Sequence, residues 1–198
     1  LDGTLYLLDT QQKTYERSSP ASSYQYECYC WPDIPARVVF TDAEGALCFG
    51  TAAGKLCRFS RAVDDPKAYN DDGDPIDAYW ETADYDGELF FRVKTFTGIA
   101  VRLAASPVTG VTVHARVRGL WQQVYDAKGK ARYFDFAYVD FGKFSFSADK
   151  TPRTLYGKIK LKKVDKVAFR LRNNEKNEPF GLYAFGVQWK ESGGNYKR

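Results

Sequence analysis

Apolar and polar positions alternate with a period of two along much of the chain, and that period predicts β-strands with one buried and one wet face. Val111, Val113, Ala115 and Val117 alternate with Thr112, His114, Arg116 and Arg118, and Ile159 and Leu161 alternate with Lys158, Lys160 and Lys162. Earlier, Ile76, Ala78 and Trp80 are set against Asp77, Tyr79 and Glu81. Further strands are expected over residues 90–103, 120–125, 133–139, 144–146, 167–171 and 183–189, the last with its odd positions, Tyr183 to Trp189, facing a core. Strands that bury only one face must pair that face with another sheet, so residues 76–191 are expected to form a β-sandwich of jelly-roll or related topology. A helix over residues 90–105 is the competing reading there, because Arg92, Lys94 and Arg102 interrupt the alternation.

The first 62 residues carry shorter strands. Leu5-Tyr6-Leu7-Leu8, a polar turn from Asp9 to Lys13, and Thr14-Tyr15-Glu16-Arg17 predict a hairpin. Residues 24–31 follow, and Pro32 and Pro35 then interrupt any ladder, because proline lacks the N–H that a sheet requires. Arg37 to Phe40, Leu47 to Phe49 and Leu56 to Phe59, joined by Gly-containing turns, predict an antiparallel meander like a β-propeller blade. A closed propeller needs several blades, so this stretch is expected to belong to a longer array or to be completed by another chain. Between the two regions, residues 63–75 hold five Asp, a Gly and two Pro, and are expected to form an acidic linker. Residues 192–198 are expected to be a flexible tail. The whole chain is thus expected to be all-β, a blade-like meander followed by a sandwich.

Composition narrows the function classes. The aromatic share of 16% with Gly, Pro and Asp clusters suits strands and turns and argues against disorder. A net charge of +4 with acidic residues interspersed is too weak a field for a dedicated nucleic-acid binder, and no nucleic-acid partner is expected. No apolar run long enough for a membrane-spanning helix occurs, so no membrane partner is expected either. The absence of Met, position 1 included, points to a piece excised from a longer protein.

Candidate chemistry is sparse. The single histidine, His114, falls on the polar face of a strand, where a solvated side chain is expected rather than an acid–base catalyst. Asp77, Glu81, Asp84, Asp135 and Asp140 could supply a glycosidase pair, but nothing in their spacing selects two of them. Cys28 and Cys30 share a strand face, and a four-residue loop would set Cys48 opposite Cys57. Free thiols packed as small hydrophobes are expected over a disulfide or a zinc site. Residues 70–74 are oxygen-rich but lack the closing acid of a calcium loop, so an acidic turn is expected. No cofactor and no metal are expected, and the chain reads as a non-enzyme. Arg116, Arg118, Lys158, Lys160, Lys162, Lys163, Arg170 and Arg172 recur on polar strand faces as a possible basic stripe, with a solvated outer face as the plainer reading. Exposed aromatics that could stack on a sugar are sought first at Tyr79, Trp121 and Tyr125. With Arg116 and Arg118 these form the candidate binding residues.

Several segments resemble structural proteins of tailed bacteriophages and prophages. They are Leu5 to Arg17, the run Gly45-Ala46-Leu47-Cys48-Phe49-Gly50-Thr51-Ala52-Ala53-Gly54-Lys55-Leu56-Cys57-Arg58-Phe59, and Asp72 to Thr82 with its Pro75-Ile76-Asp77-Ala78-Tyr79-Trp80-Glu81-Thr82. Pro179 to Tyr183 and Gln188-Trp189 are similar to the closing strand of the same module. Cys48 and Cys57 stand where such proteins usually carry an aromatic, which marks them as packing substitutions. The resemblance implies propeller-like blades ahead of a sandwich, and no catalytic residue. It also implies an assembly or adaptor role in the virion tail or head–tail region, with other virion proteins and further copies of the chain as partners. The chain would be found in the virion, or in host cytoplasm before assembly. A carbohydrate- or receptor-binding sandwich that contacts a cell-surface glycan is the alternative.

Overall fold

The computed structural model describes residues 3–14, 25–32, 34–62, 64–87, 92–139, 141–143 and 145–195. The chain is all-β, built from several antiparallel sheets, and divides into two compact units, residues 1–61 and 62–198.

In the first unit, β1 (Leu5–Thr14) pairs antiparallel with β2 (Gln25–Trp31), Leu5 opposite Trp31 and Thr14 opposite Gln25. The turn expected from Asp9 to Lys13 is not formed. That polar run has no Gly or Pro to reverse the chain, so it stays in β1 as an irregularity of the ladder between Asp9 and Lys13. Tyr15, Glu16 and Arg17 lie outside the described residues. The meander is present as β3 (Ala36–Thr41), β4 (Leu47–Thr51) and β5 (Leu56–Arg58). Its first turn is held by the Asp42 carboxylate, which accepts the N–H groups of Ala46 and Glu44 at 2.7 and 3.0 Å.

The second turn does not have the four residues that would set Cys48 opposite Cys57. Gly50 faces Leu56 and Phe49 faces Cys57, while Cys48 faces Arg58. The loop has three residues rather than four, with Gly54 at φ +78° in the left-handed region that glycine enters without strain. Shifting the register by one residue sends Cys48 and Cys57 to opposite sheet faces. All four cysteines are free, Cys48 buried and Cys28 and Cys30 exposed.

The acidic segment folds against the second unit. Asp65 caps a single 3-10 turn, Pro66–Tyr69, and the short strands β6 (Asn70–Asp71) and β7 (Asp74–Pro75) pair with each other. Asn70 donates to the Asn177 side chain at 2.7 Å and accepts the Asn177 N–H at 2.9 Å.

Two sheets of longer strands follow. One runs β11 (Leu120–Arg132), β10 (Val108–Val117), β13 (Ala168–Asn173), β8 (Ala78–Glu81), and the other runs β12 (Arg153–Val164), β9 (Arg92–Leu103), β14 (Leu182–Asn195). Their inner faces share one core of Phe96, Ile99, Val101 and Leu103 from β9, Val111, Val113 and Ala115 from β10, and Ile159 and Leu161 from β12, with Phe169 and Leu171 from β13. This is a sandwich-like packing of two antiparallel sheets. Phe169 meets Phe185 of β14 with ring centroids 5.2 Å apart, so β13 lies over β14. On one flank the Tyr125 hydroxyl of β11 donates to the Tyr156 carbonyl of β12 at 3.2 Å, so β11 lies over β12.

β9 is a strand, not a helix. Lys94 is accommodated on its buried side because its ammonium donates to the carbonyls of Arg92 and Asp165 at 2.9 and 2.8 Å, while Arg102 points to solvent. The strands expected at residues 133–139 and 144–146 are absent among the described residues. A 3-10 turn, Phe136–Tyr138, and a second one, Phe141–Lys143, stand there instead, because no neighbouring ladder offers partners. β14 runs to Asn195, which pairs with Arg92, so residues 192–195 are strand rather than tail.

Candidate functional site

The outer face of the four-stranded sheet gathers most of the candidate residues. Trp121 pairs with Arg116 across β11 and β10, His114 with Arg170 across β10 and β13, and Arg170 with Glu81 across β13 and β8. Directly opposed residues point to one face, so these side chains form rows across four strands. The Arg170 guanidinium lies 4.4 Å from the centroid of Trp121 and 5.1 Å from that of Tyr79, and it donates to the Glu81 carboxylate at 2.5 and 2.6 Å. Arg116 also sits over Trp121, at 5.4 Å, and reaches Asp84 at 3.2 Å. Arg172 grips both oxygens of Asp77, at 2.5 and 2.9 Å.

These pairs set the electrostatics of the face. Hydrogen bonds from Lys166 and Arg116 hold the Asp84 carboxyl below its ordinary range. His114 is not the solvated side chain expected: it is half-buried, and its Nδ1 is shielded from solvent without a hydrogen-bond partner. Burial first, then the cations Arg172 and Arg170, push its pKa below the ordinary 6.5. A neutral imidazole sits there at neutral pH, directly opposite Arg170 and Gln123.

Two candidates lie elsewhere. Tyr125 turns to the opposite side and lies flat against Gly157, where a Cβ would stand 2.6 Å from its ring. Arg118 occupies the β10–β11 turn at φ +52°. The basic stripe is divided between the two sheets: Arg116, Arg170 and Arg172 lie on one outer face, and Lys158, Lys160 and Lys162 are exposed on β12 of the other sheet.

A second surface lies where the alternation predicts strands and 3-10 turns stand instead. Residues 134–139 follow β11 and residues 145–147 precede β12, and the Phe134 N–H donates to the Ser147 carbonyl at 2.7 Å, which brings the two ends of this segment together. Phe136, Phe141 and Phe146 on it are 87, 88 and 91% exposed. Aromatic density was visible in the sequence, but only the missing ladder shows that these rings face solvent.

Two shallow clefts accompany these surfaces. One, of about 200 Å3, is lined by Lys128, Lys130, Arg132, Glu175 and Glu178, and one, of about 440 Å3, by Gly3, Arg37, Ala52 and Lys55 in the first unit. Ligand pockets usually span about 300–1,000 Å3 with convergent polar groups, which the first lacks in size and the second in chemistry. Among the described residues no group of three or more His, Cys, Asp or Glu side chains converges to hold a metal ion. No family model, curated protein or solved structure matches the chain.

Proposed function

We propose that the chain is a non-enzymatic assembly module that docks onto neighbouring subunits of a phage or prophage virion in the tail region. The near-complete exposure of Phe136, Phe141 and Phe146 on one loop carries this reading. Three large exposed rings within eleven residues are apolar surface that a protein ordinarily covers with a partner. Val38 and Phe40 on one face of β3, and Val39 on the other, are exposed as well, in keeping with a blade taken from a longer array. The tail assignment itself rests on the resemblance of residues 5–17, 45–59 and 72–82 to phage structural proteins.

The strand order supports a jelly-roll ancestry for the sandwich. With β8 to β14 taken in sequence, only β10 to β11 stays within a sheet, and every other connection crosses between sheets. An eight-stranded jelly roll that lacks its first strand has this order, and jelly rolls recur in capsid proteins and lectins alike. The lectin-like alternative is disfavoured at Tyr79 and Trp121, because Arg170 lies over both rings and Arg116 over one of them, where a sugar would stack.

Quantitative mass spectrometry of purified virions tests the proposal. The chain, or the protein that contains it, should appear at a fixed copy number with the other tail proteins. Particles complete without it would overturn the reading, as would specific hits on a glycan array that vanish in Trp121→Ala.

A further inference from the structure

The two sheets differ by one strand, and the difference leaves a gap. β11 lies over β12 and β13 over β14, so among the described residues of this unit β8, the fourth strand of its sheet, has no strand facing it. Trp80 on β8 is directly opposite Leu171, which is opposite Val113, and both of those are fully buried. Trp80 therefore faces the interior of the sandwich, yet it is 46% exposed. Among the described residues β14 pairs only with β9, so its other edge is open. The crossover after β8 closes one end of that edge, where the Trp189 indole donates to the Tyr85 hydroxyl at 3.1 Å. Along Leu182 to Val187 no strand of the described residues of this unit pairs with that edge, and Tyr183 is 67% exposed.

We propose that this gap receives the Phe-rich loop, residues 134–147, of a second copy of the chain, which adds a strand beside β14 and covers Trp80. The inference rests on the reading of the chain as an assembly module and specifies its contact. An open sheet edge takes an extended segment by backbone hydrogen bonding, with alternate side chains filling the space below. Phe134-Asp135-Phe136-Ala137-Tyr138 and Phe144-Ser145-Phe146-Ser147 both alternate aromatic with small or polar residues, as such a strand requires. The loop carries two Asp and one Lys, while the solvent side of the receiving sheet presents Arg102, Lys158, Lys160 and Lys190.

Topology selects this occupant over a symmetric pairing. If β14 of a second copy filled the gap about a two-fold axis, the overhanging β8 of each copy would enter the space of the other's β13. Insertion into the same copy is also excluded, because the loop springs from the β11–β12 flank and the gap lies on the β8–β14 flank. Donor and acceptor on opposite flanks give a head-to-tail contact, which propagates into a ring or a filament.

Light scattering of the full chain over a concentration series, coupled to size exclusion, tests the contact. The native chain should self-associate, and either Trp80→Lys or the pair Phe136→Asp with Phe146→Asp should weaken this by more than about tenfold. Mixing the two variants is decisive: one retains a donor loop and the other an acceptor edge, so together they should form a one-to-one dimer and nothing larger. Tyr183→Lys replaces Trp80→Lys if that variant fails to fold by circular dichroism. A synthetic peptide of residues 134–147 should dissociate the native assembly. A native chain that is monomeric at every concentration, variants that assemble like it, or a monomeric mixture would overturn the inference. If the chain is monomeric alone but present in purified virions, the head-to-tail contact falls and the assembly reading stands.

Discussion

Arg170 ties three strands together through one guanidinium, with Glu81 in its plane and the rings of Trp121 and Tyr79 beside it. A flat, delocalised cation can stack and pair at once, and an ammonium cannot do both in the same geometry. Arg170→Ala should therefore cost about 1–2 kcal/mol in urea unfolding, the sum of a partly exposed ion pair and a cation–π contact, and Arg170→Lys should recover less than half. His114 adds a pH dependence. Its folded pKa lies below 6.5, so the unfolded chain binds more protons than the folded one just below neutrality. Stability from this residue is full above pH 6.5, falls as the pH drops through that value, and levels off below the folded pKa. Unfolding free energies measured between pH 7.5 and 5 should decline less steeply in His114→Gln than in the native chain; equal slopes would refute the assignment. The polar alternation around His114 was legible in the sequence, but its burial and the nearby charges of Arg172 and Arg170 were not, because strand neighbours are set by long-range pairing.

Strand existence and facing follow from local alternation, and β10, β12 and β14 were readable for that reason. Register and neighbour choice are long-range properties. Cys48 and Cys57 would stand opposite each other across a four-residue loop and miss by one residue, because loop length sets the register and Gly54 permits a three-residue loop as readily as a longer one. Residues 133–146 failed differently: alternating aromatics satisfy the strand pattern, yet a strand also needs a neighbour with free backbone groups. Of the candidate residues, Tyr79, Trp121 and Arg116 do share a face, but Tyr125 departs because a register shift between Val113 and His114 moves it to the other side. There it seals the β11–β12 flank against Gly157. Gly157→Val should push the ring outward and cost about 1–3 kcal/mol, read as a lower midpoint in thermal unfolding, and Tyr125→Ala should abolish the difference between Gly and Val.

The central hydrophobic cluster draws all its buried members from residues 96–171, with partly buried neighbours up to Trp189. Residues 62–198 should therefore fold alone, with a single cooperative transition and dispersed amide resonances; a broad, non-cooperative melt would show that the first unit is needed. The middle strand of the three-stranded sheet also has a consequence for biosynthesis. β9 ends at Leu103, but its two neighbours end at Val164 and Asn195, so the ribosome releases it long before either can pair. At about 5–20 residues per second, the wait from Leu103 to Val164, when the first neighbour is complete, is about 3–12 s, during which β10 and β11 are the strands of this unit that can close a local hairpin. For those seconds the nascent chain carries the apolar face of β9 uncovered, and a chaperone that binds extended apolar segments would find its target there.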